Sequence, residues 1–292
     1  MAATQHRGAT MTMHETRKAP PKGVPFRPRG RSRVRGLTVV RAVAGMAVFA
    51  LLLFAWELAG RHDTTGLLPP FSDVAAEMAA ILTGERLTTD VLPSVLRALL
   101  GFALGSVIGM TAGVVLGWWR RLDPWLRPPV EFLRAVPTPA LVPIAVVAFG
   151  AGNALRVWVI ALGACWPVLL NTMDGLRRVE PGYIDSARVY TSGRTTAVLG
   201  RAALPAALPQ ITSGLRIGLA LSLILMVISE MIASSSGLGY LILQSQRLYA
   251  LTPMYAGVLI LACTGWLLTL LFSAAERRAL VWFEGMKGRN HA

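Results

Sequence analysis

The sequence predicts an all-α polytopic membrane protein with six transmembrane helices. Of its 292 residues, 54% are hydrophobic and only 15% are charged, whereas soluble domains usually carry about 25% charged residues. The apolar residues fall in blocks long enough to cross a bilayer, without the alternating pattern of membrane strands. Helices are favoured in lipid because each one satisfies its backbone hydrogen bonds internally.

Six apolar blocks define the predicted spans. The third is short and contains Pro137, Pro139 and Pro143, so its backbone needs shielding by neighbouring helices. In chain order, the blocks cover residues 39–59, 95–119, 135–149, 155–173, 214–232 and 254–274.

A basic segment precedes the first block. Residues 1–36 carry nine of the 29 Lys and Arg residues, together with four prolines. Such a composition cannot bury enough surface to offset chain entropy, so we expect a disordered cytoplasmic tail. The basic region is unusually long for a signal peptide, which favours a retained first helix. The predicted organisation is completed by a transmembrane domain over residues 37–283 and a short cytoplasmic tail over 284–292.

The positive charges predict the orientation. With the amino terminus inside and six spans, 24 Lys and Arg residues lie inside and 5 lie outside. This positive-inside bias places both termini in the cytoplasm. It also accounts for the net charge of +14 without nucleic-acid binding.

The first outside loop, residues 60–93, is acidic and contains a predicted surface helix. Apolar residues recur at helical spacing between positions 72 and 82, after Pro69 and Pro70. Ser72 or Asp73 is the expected N-cap.

Glycine recurs at every fourth position of the second span. This stripe lets another helix approach closely, either as static packing or as a face that slides during a conformational change. Its members are Gly101, Gly105, Gly109, Gly113 and Gly117.

The long inside loop, residues 174–212, is patterned as two short helices. Pro181 opens the first, which has an apolar face of Tyr183, Ile184, Ala187 and Tyr190. The pattern breaks at residues 191–193, and a second helical stretch covers 194–203, ending before Leu204-Pro205. Such a hairpin suits docking into a groove of a soluble partner. The alternative is an interfacial helix lying on lipid.

Four segments, taken in order, resemble one family. They are residues 134–143 (RAVPTPALVP), residues 185–209 with Asp185-Ser186-Ala187 at the start, residues 229–242 (SEMI, then GLGYLI), and residues 276–282 (ERRALVW). Together they are similar to the nitrate/sulfonate/taurine branch of ABC importer permeases. The second segment resembles the cytoplasmic "EAA" loop of that family, and the likeness covers residues 40–283.

The resemblance implies a function and a set of partners. In this family the loop is a coupling helix that seats in a separate ATP-binding subunit, and transport proceeds by alternating access. The implied partners are an ATPase dimer, an extracytoplasmic solute-binding protein and a second permease copy forming a homodimer, in a bacterial cell membrane. The implied solutes are sulfonates, taurine, nitrate, bicarbonate or small heterocyclic precursors. The implied coupling residues are Asp185, Ser186, Ala187, Thr191, Gly193, Leu204 and Pro205.

The chain departs from the family pattern at several of these positions. Asp185 replaces the usual Glu, Ser186 replaces Ala, and Thr191 stands where Gly is expected. The spacing to Leu204-Pro205 is one residue longer than usual. We therefore predict that Gly193 supplies the left-handed turn between the two helices.

Glu230 lies near the outer end of the fifth span. An ionisable side chain inside a membrane is a functional candidate because leaving it in lipid is costly. It is expected to line the pathway or gate, or to pair with a base such as Arg97. A carboxylate is not expected to bind an anionic solute itself.

No catalytic or metal site is expected. The sequence lacks a phosphate-binding loop, HExxH, CxxC and GxSxG, so ATP hydrolysis is assigned to a partner and no cofactor is predicted. Cys165 and Cys263 are interpreted as small hydrophobes. The main alternative, an ion-coupled secondary transporter, would usually carry more intramembrane charges and internal repeats. An embedded enzyme lacks a catalytic constellation, and a structural scaffold leaves the pattern of residues 185–209 unexplained.

Overall fold

The computed structural model describes residues 31–280, which are helical almost throughout and contain no strand. Residues up to Leu52 and residues from Leu53 onward form separate units, and the packing below belongs to the second. In chain order, the α-helices of the described part are α1 Arg31–His62, α2 Phe71–Thr83, α3 Leu92–Trp118, α4 Asp123–Ala135, α5 Thr138–Phe149, α6 Asn153–Arg177, α7 Pro181–Tyr190, α8 Thr195–Val198, α9 Leu204–Ala233, α10 Leu238–Arg247 and α11 Leu251–Ala279.

Five helices of the described part, α1, α3, α6, α9 and α11, are long and apolar enough to cross a membrane. This confirms the all-helical prediction. The predicted third span is instead a broken pair, α4 and α5, bent by 85°, so six spans result only if this pair counts as one. Val136 is extended (ψ 121°), as expected for a residue that precedes a proline.

The predicted terminal tails lie mostly outside the described residues. The described part of α1 begins at Arg31, inside the predicted tail of residues 1–36. Residues 1–30 and the predicted carboxyl-terminal tail, 284–292, are not among the described residues.

Helix α6 is the centre of the bundle and packs between α3 and α9. The glycine stripe of α3 makes close packing possible. A methyl group on Gly109 would lie 2.5 Å from the carbonyl oxygen of Cys165, and one on Gly113 would lie 2.6 Å from that of Leu169. Methyl groups on Gly101, Gly105 and Gly117 would also collide with α6, and each successive glycine of the stripe faces a carbonyl four residues further along that helix. The stripe is therefore a close-packed seam, and whether it slides remains a prediction.

Helix α2 confirms the predicted surface helix, but its predicted cap is wrong. Pro70 occupies the N-cap position, without a side-chain cap. The Ser72 amide instead donates to Oε2 of Glu57 at 2.9 Å. A carboxylate on α1 thus caps α2, because Pro69-Pro70 brings the two helices together. Buried side chains on α2, α10 and α11 form a shared core, which includes Val74, Ile81, Leu238, Leu241, Ala256 and Ile260.

Residues 178–203, called the connector below, join α6 to α9. The predicted break at residues 191–193 is present, but the predicted end before Leu204-Pro205 is wrong. A π-helical turn, Leu199–Ala203, runs directly from α8 into α9. A wider turn before Pro205 is the expected response to a residue that lacks an N–H and crowds the preceding carbonyl groups.

Candidate functional site

Helix α7 of the connector has two faces. Ile184 is partly buried and packs in a cluster with Leu176 of α6 and Ala207 of α9. On the outer side Tyr183, Val189 and Tyr190 are 51%, 79% and 91% exposed. The apolar face predicted from the sequence is therefore divided, with Ile184 and Ala187 turned toward the bundle and the tyrosines away from it.

The polar residues of α7 are accessible. Oδ1 of Asp185 accepts a hydrogen bond from Nη1 of Arg188 at 2.8 Å, and both side chains are more than half exposed. The Ser186 hydroxyl donates to the carbonyl of Gly182 at 2.9 Å. Neither residue contacts the bundle core, so both are free to meet another molecule.

The turn after α7 is tightly fixed. The Thr191 hydroxyl donates to the Ala187 carbonyl at 2.8 Å, and the Gly193 amide donates to the Arg188 carbonyl at 2.9 Å. Gly193 has φ 72° and Ser192 has φ 50°. Gly193 thus adopts the predicted left-handed conformation, and Ser192 adopts it too, which the sequence did not indicate.

Leu204 and Pro205 lie at the start of α9, apart from the exposed residues of α7. Leu204 is partly buried in the same cluster as Ile184. The predicted coupling residues are therefore distributed between an exposed surface and its buried attachment to α9.

A cleft of about 570 Å³ separates α7 from the end of α3. Asp185 and Arg188 line it from the connector, and Trp118, Arg120 and Arg121 line it from α3 and the turn that follows. Three guanidinium groups against one carboxylate make this cleft positively charged.

The other end of the bundle holds a buried ionic cluster around Glu230, which is fully buried. Its Oε1 accepts from Nη1 of Arg97 at 2.6 Å. Its Oε2 accepts from the Ser94 hydroxyl at 2.7 Å and from the Gly239 amide at 3.0 Å. Pairing with Arg97 was one of the two alternatives for Glu230, and the structure shows it.

A second arginine extends this cluster. Arg156 donates to Oδ1 of Asn153 at 2.8 Å and to the Ala233 carbonyl at 2.6 Å. Arg97 donates to the same Asn153 oxygen at 3.0 Å. The buried cluster therefore joins α3, α6 and α9 and contains two arginines and one glutamate.

The turn between α9 and α10 is held by the same groups. The Gly237 amide donates to Oδ1 of Asp90 at 2.8 Å, and the Leu238 amide donates to the Ser94 hydroxyl at 2.8 Å. Gly237 has φ 118°, and a methyl group there would lie 2.5 Å from the carboxyl carbon of Glu230. Only glycine fits this position.

Residues 105–280 match the family described as "Binding-protein-dependent transport system inner membrane component". The chain belongs to this family. It is a permease subunit of an ABC transporter and a multi-pass protein of the cell membrane. The match leaves the ion-coupled secondary transporter without support.

The permease has relatives of similar length. It is 32% identical over 247 residues to the putative aliphatic sulfonates transport permease protein SsuC of Bacillus subtilis, covering 84% of this chain and 89% of that protein. It is 29% identical over 271 residues to the bicarbonate transport system permease protein CmpB of Synechococcus elongatus, covering 88% and 94%.

The fold of the permease is that of solved ABC transporters. Against an inward-facing structure of the MetNI methionine ABC transporter the TM-score is 0.57 at 20% identity, covering 68% of this chain and 99% of that one. At this identity the likeness concerns the fold alone.

Sequence reasoning missed several members of the permease's ionic cluster. Ser94 contributes a buried hydrogen bond, and Arg156 and Asn153 contribute partly buried ones, although the sequence singled out only Glu230 and Arg97. Arg156 carried a usable signal, since it lies at the start of an apolar block and intramembrane charges are rarely incidental.

Proposed function

We propose that this permease imports a small anion by alternating access, as a homodimer driven by a separate ATPase through the connector. An extracytoplasmic binding protein delivers the solute, and both termini lie in the cytoplasm. The observation that carries the proposal is the exposed surface of α7, formed by Tyr183, Val189 and Tyr190.

The exposed side chains of α7 fit a protein partner. A ten-residue helix that exposes two tyrosines and a valine presents an apolar surface of the kind that marks interaction sites. Ile184 anchors this helix to α6 and α9. A partner that moved α7 would therefore move the bundle with it.

The arginines at the connector end of the spans support a cytoplasmic position for that end. Arg120 and Arg177 form hydrogen bonds between the ends of α3 and α6 on the connector side, and Arg216 pairs with Glu276 between α9 and α11. A concentration of arginine at one end of the spans is typical of the cytoplasmic side.

The named solutes of the relatives support an anion. Aliphatic sulfonates and bicarbonate, which appear in the names of two relatives, are both small and negatively charged. The homodimer rests on the family resemblance of the sequence.

Site-directed cross-linking tests the coupling surface. Tyr190→Cys, in a background where Cys165 and Cys263 are replaced by serine, is expected to form an adduct with the ATP-hydrolysing subunit in native membranes. Solute uptake is expected to stop when ATP is depleted and to survive an uncoupler of the proton gradient.

Tyr249→Cys provides a matched control. Tyr249 is 83% exposed but lies between α10 and α11, near the ionic-cluster end. An adduct with the ATPase from Tyr249→Cys and none from Tyr190→Cys would contradict both the coupling surface and the orientation.

A further inference from the structure

The break between α4 and α5 is an exposed, irregular turn in the unit from Leu53 onward. The pair bends by 85°, and Pro137 and Pro139 supply no N–H groups. Ala135, Pro137, Pro139 and Ala140 are all exposed.

This break lies beside the middle of the bundle. Thr138 and Pro137 line a cleft with Gly163 and Trp166 of α6 and Leu225 of α9. Gly163 and Trp166 are the eleventh and fourteenth residues of the 25-residue helix α6. In a bilayer, non-helical backbone at this depth is tolerated only where protein covers it or where it lines a water-filled cavity.

A positive charge opens onto the same cleft. Arg134, in the last turn of α4, lines it and is exposed. It makes no hydrogen bond or ion pair with any residue in the described part of the chain. An arginine side chain facing lipid is costly, so its position favours water, and the second cleft that Arg134 lines holds Glu131 and Asp174. The cleft measures about 300 Å³, enough for a small solute.

We propose that this cleft is one wall of the solute pathway, with Arg134 as its anion contact and Thr138 and Trp166 beside it. The inference rests on the proposed import of a small anion, and it assigns the opposite wall to the second permease copy. The guanidinium group attracts the anion, and the hydroxyl of Thr138 and the ring of Trp166 line the same cleft.

Cysteine labelling of the assembled transporter tests the site without requiring the natural solute. Thr138→Cys, in the background lacking Cys165 and Cys263, is reacted with two water-soluble methanethiosulfonates, one carrying a sulfonate and the other a trimethylammonium group. Both are expected to label it. Leu267→Cys, in the middle of the apolar helix α11 and 49% exposed, is the matched control outside the cleft and is expected to stay unlabelled.

Removing the charge is expected to change the preference between the two reagents. Arg134→Gln should lower the ratio of anionic to cationic labelling rates by about three- to tenfold, the range expected for one charge about 6–10 Å away across a water-filled path, acting in opposite directions on the two reagents. Arg134→Lys should retain the ratio. Arg278→Gln, which removes an exposed arginine at the end of α11, should leave it unchanged.

The outcomes separate this inference from the proposed function. An unreactive Thr138→Cys in a transporter with normal ATP-dependent uptake would overturn the pathway assignment and leave the import function standing. An unchanged labelling ratio in Arg134→Gln would overturn the role of Arg134. A reactive, charge-sensitive Thr138→Cys, together with no ATP-dependent uptake by the unsubstituted transporter, would instead count against the proposed function alone.

Discussion

The carboxylate of Glu230 and the guanidinium group of Arg97 lie 2.6 Å apart inside the bundle, joining the end of α9 to the start of α3. Neither side chain is accessible enough to meet a solute in this conformation. The pair also fixes the turn that leads into α10, since the Gly239 amide donates to the same carboxylate. Glu230 therefore holds one end of the bundle together.

Removing this carboxylate should destabilise the protein strongly. Glu230→Ala leaves Arg97 and Arg156 buried without a counter-charge, and breaking a buried pair in this way costs about 3–5 kcal/mol. Thermal unfolding in detergent measures the loss. The exposed pair Arg86–Glu77 provides the control, since Arg86→Ala should cost less than about 1 kcal/mol. Equal shifts for the two variants would show that the cluster is not a structural element.

The glycine seam should tolerate no side chain. In Gly109→Ala the new methyl group would meet the Cys165 carbonyl at 2.5 Å, and a backbone oxygen cannot move aside, so α3 and α6 must separate. We expect a cost of about 1–3 kcal/mol, seen as a lower unfolding temperature. Gly45→Ala, with nothing within 4 Å, should be neutral or slightly stabilising. Unfolding temperatures that match in the two variants would contradict the close approach.

The π-helical turn before Pro205 should set the direction of the connector. Pro205→Ala restores an N–H group and so allows regular α-helical hydrogen bonding. Loss of the extra residue in the π-helical turn would rotate the residues before position 205 about the helix axis by about 100°, the angle between successive residues of an α-helix. The yield of the Tyr190→Cys cross-link to the ATPase should then fall, with the unfolding temperature maintained. Pro209→Ala, within the regular part of α9, should preserve the yield. A Pro205→Ala protein that cross-links as well as the parent would argue that the turn has another cause.

The hydrogen bonds to Asp63 in the loop after α1 should persist in mild acid. Hydrogen bonds from the Thr65 hydroxyl and from the amides of Leu68 and Thr65 lower the pKa of Asp63 from 3.8 to about 2. Because the pKa is depressed in the folded protein, the stabilisation is complete above about pH 4 and is lost as the pH falls through 2. Hydrogen exchange at the Thr65 and Leu68 amides, corrected for its intrinsic rate, should be constant from pH 8 to 4. Asp63→Asn should exchange faster at pH 7, and unaltered protection in that variant would contradict the assignment.

The sequence predicted the elements whose signal is local. Apolar blocks located the five continuous spans, and the proline at position 181 and the glycine at 193 located α7 and its turn. Glu230 stood out because a charge in an apolar block is rare. These features depend on composition within a few turns of helix, which a single sequence displays directly.

The features that the sequence did not predict depend on distant contacts. Glu57 caps a helix that starts fourteen residues later in the chain, and Arg156 meets the Ala233 carbonyl across the bundle. The continuity of the connector with α9 was missed because Leu204-Pro205 is a sound helix-stop signal in isolation. The π-helical turn allows the helix to continue through Pro205, and no short-range pattern in the sequence predicts that turn.

Helix α9 begins at Leu204, in the partly buried cluster that holds Ile184 of α7, and ends three residues after Glu230. Its 30 residues extend over about 45 Å, with no loop between those two points. A tilt of this rod about its contact with α6 moves its two ends in opposite directions. A push of a few ångströms on the α7 side would thus strain the salt bridge at the other end of the bundle, with a single helix as the lever.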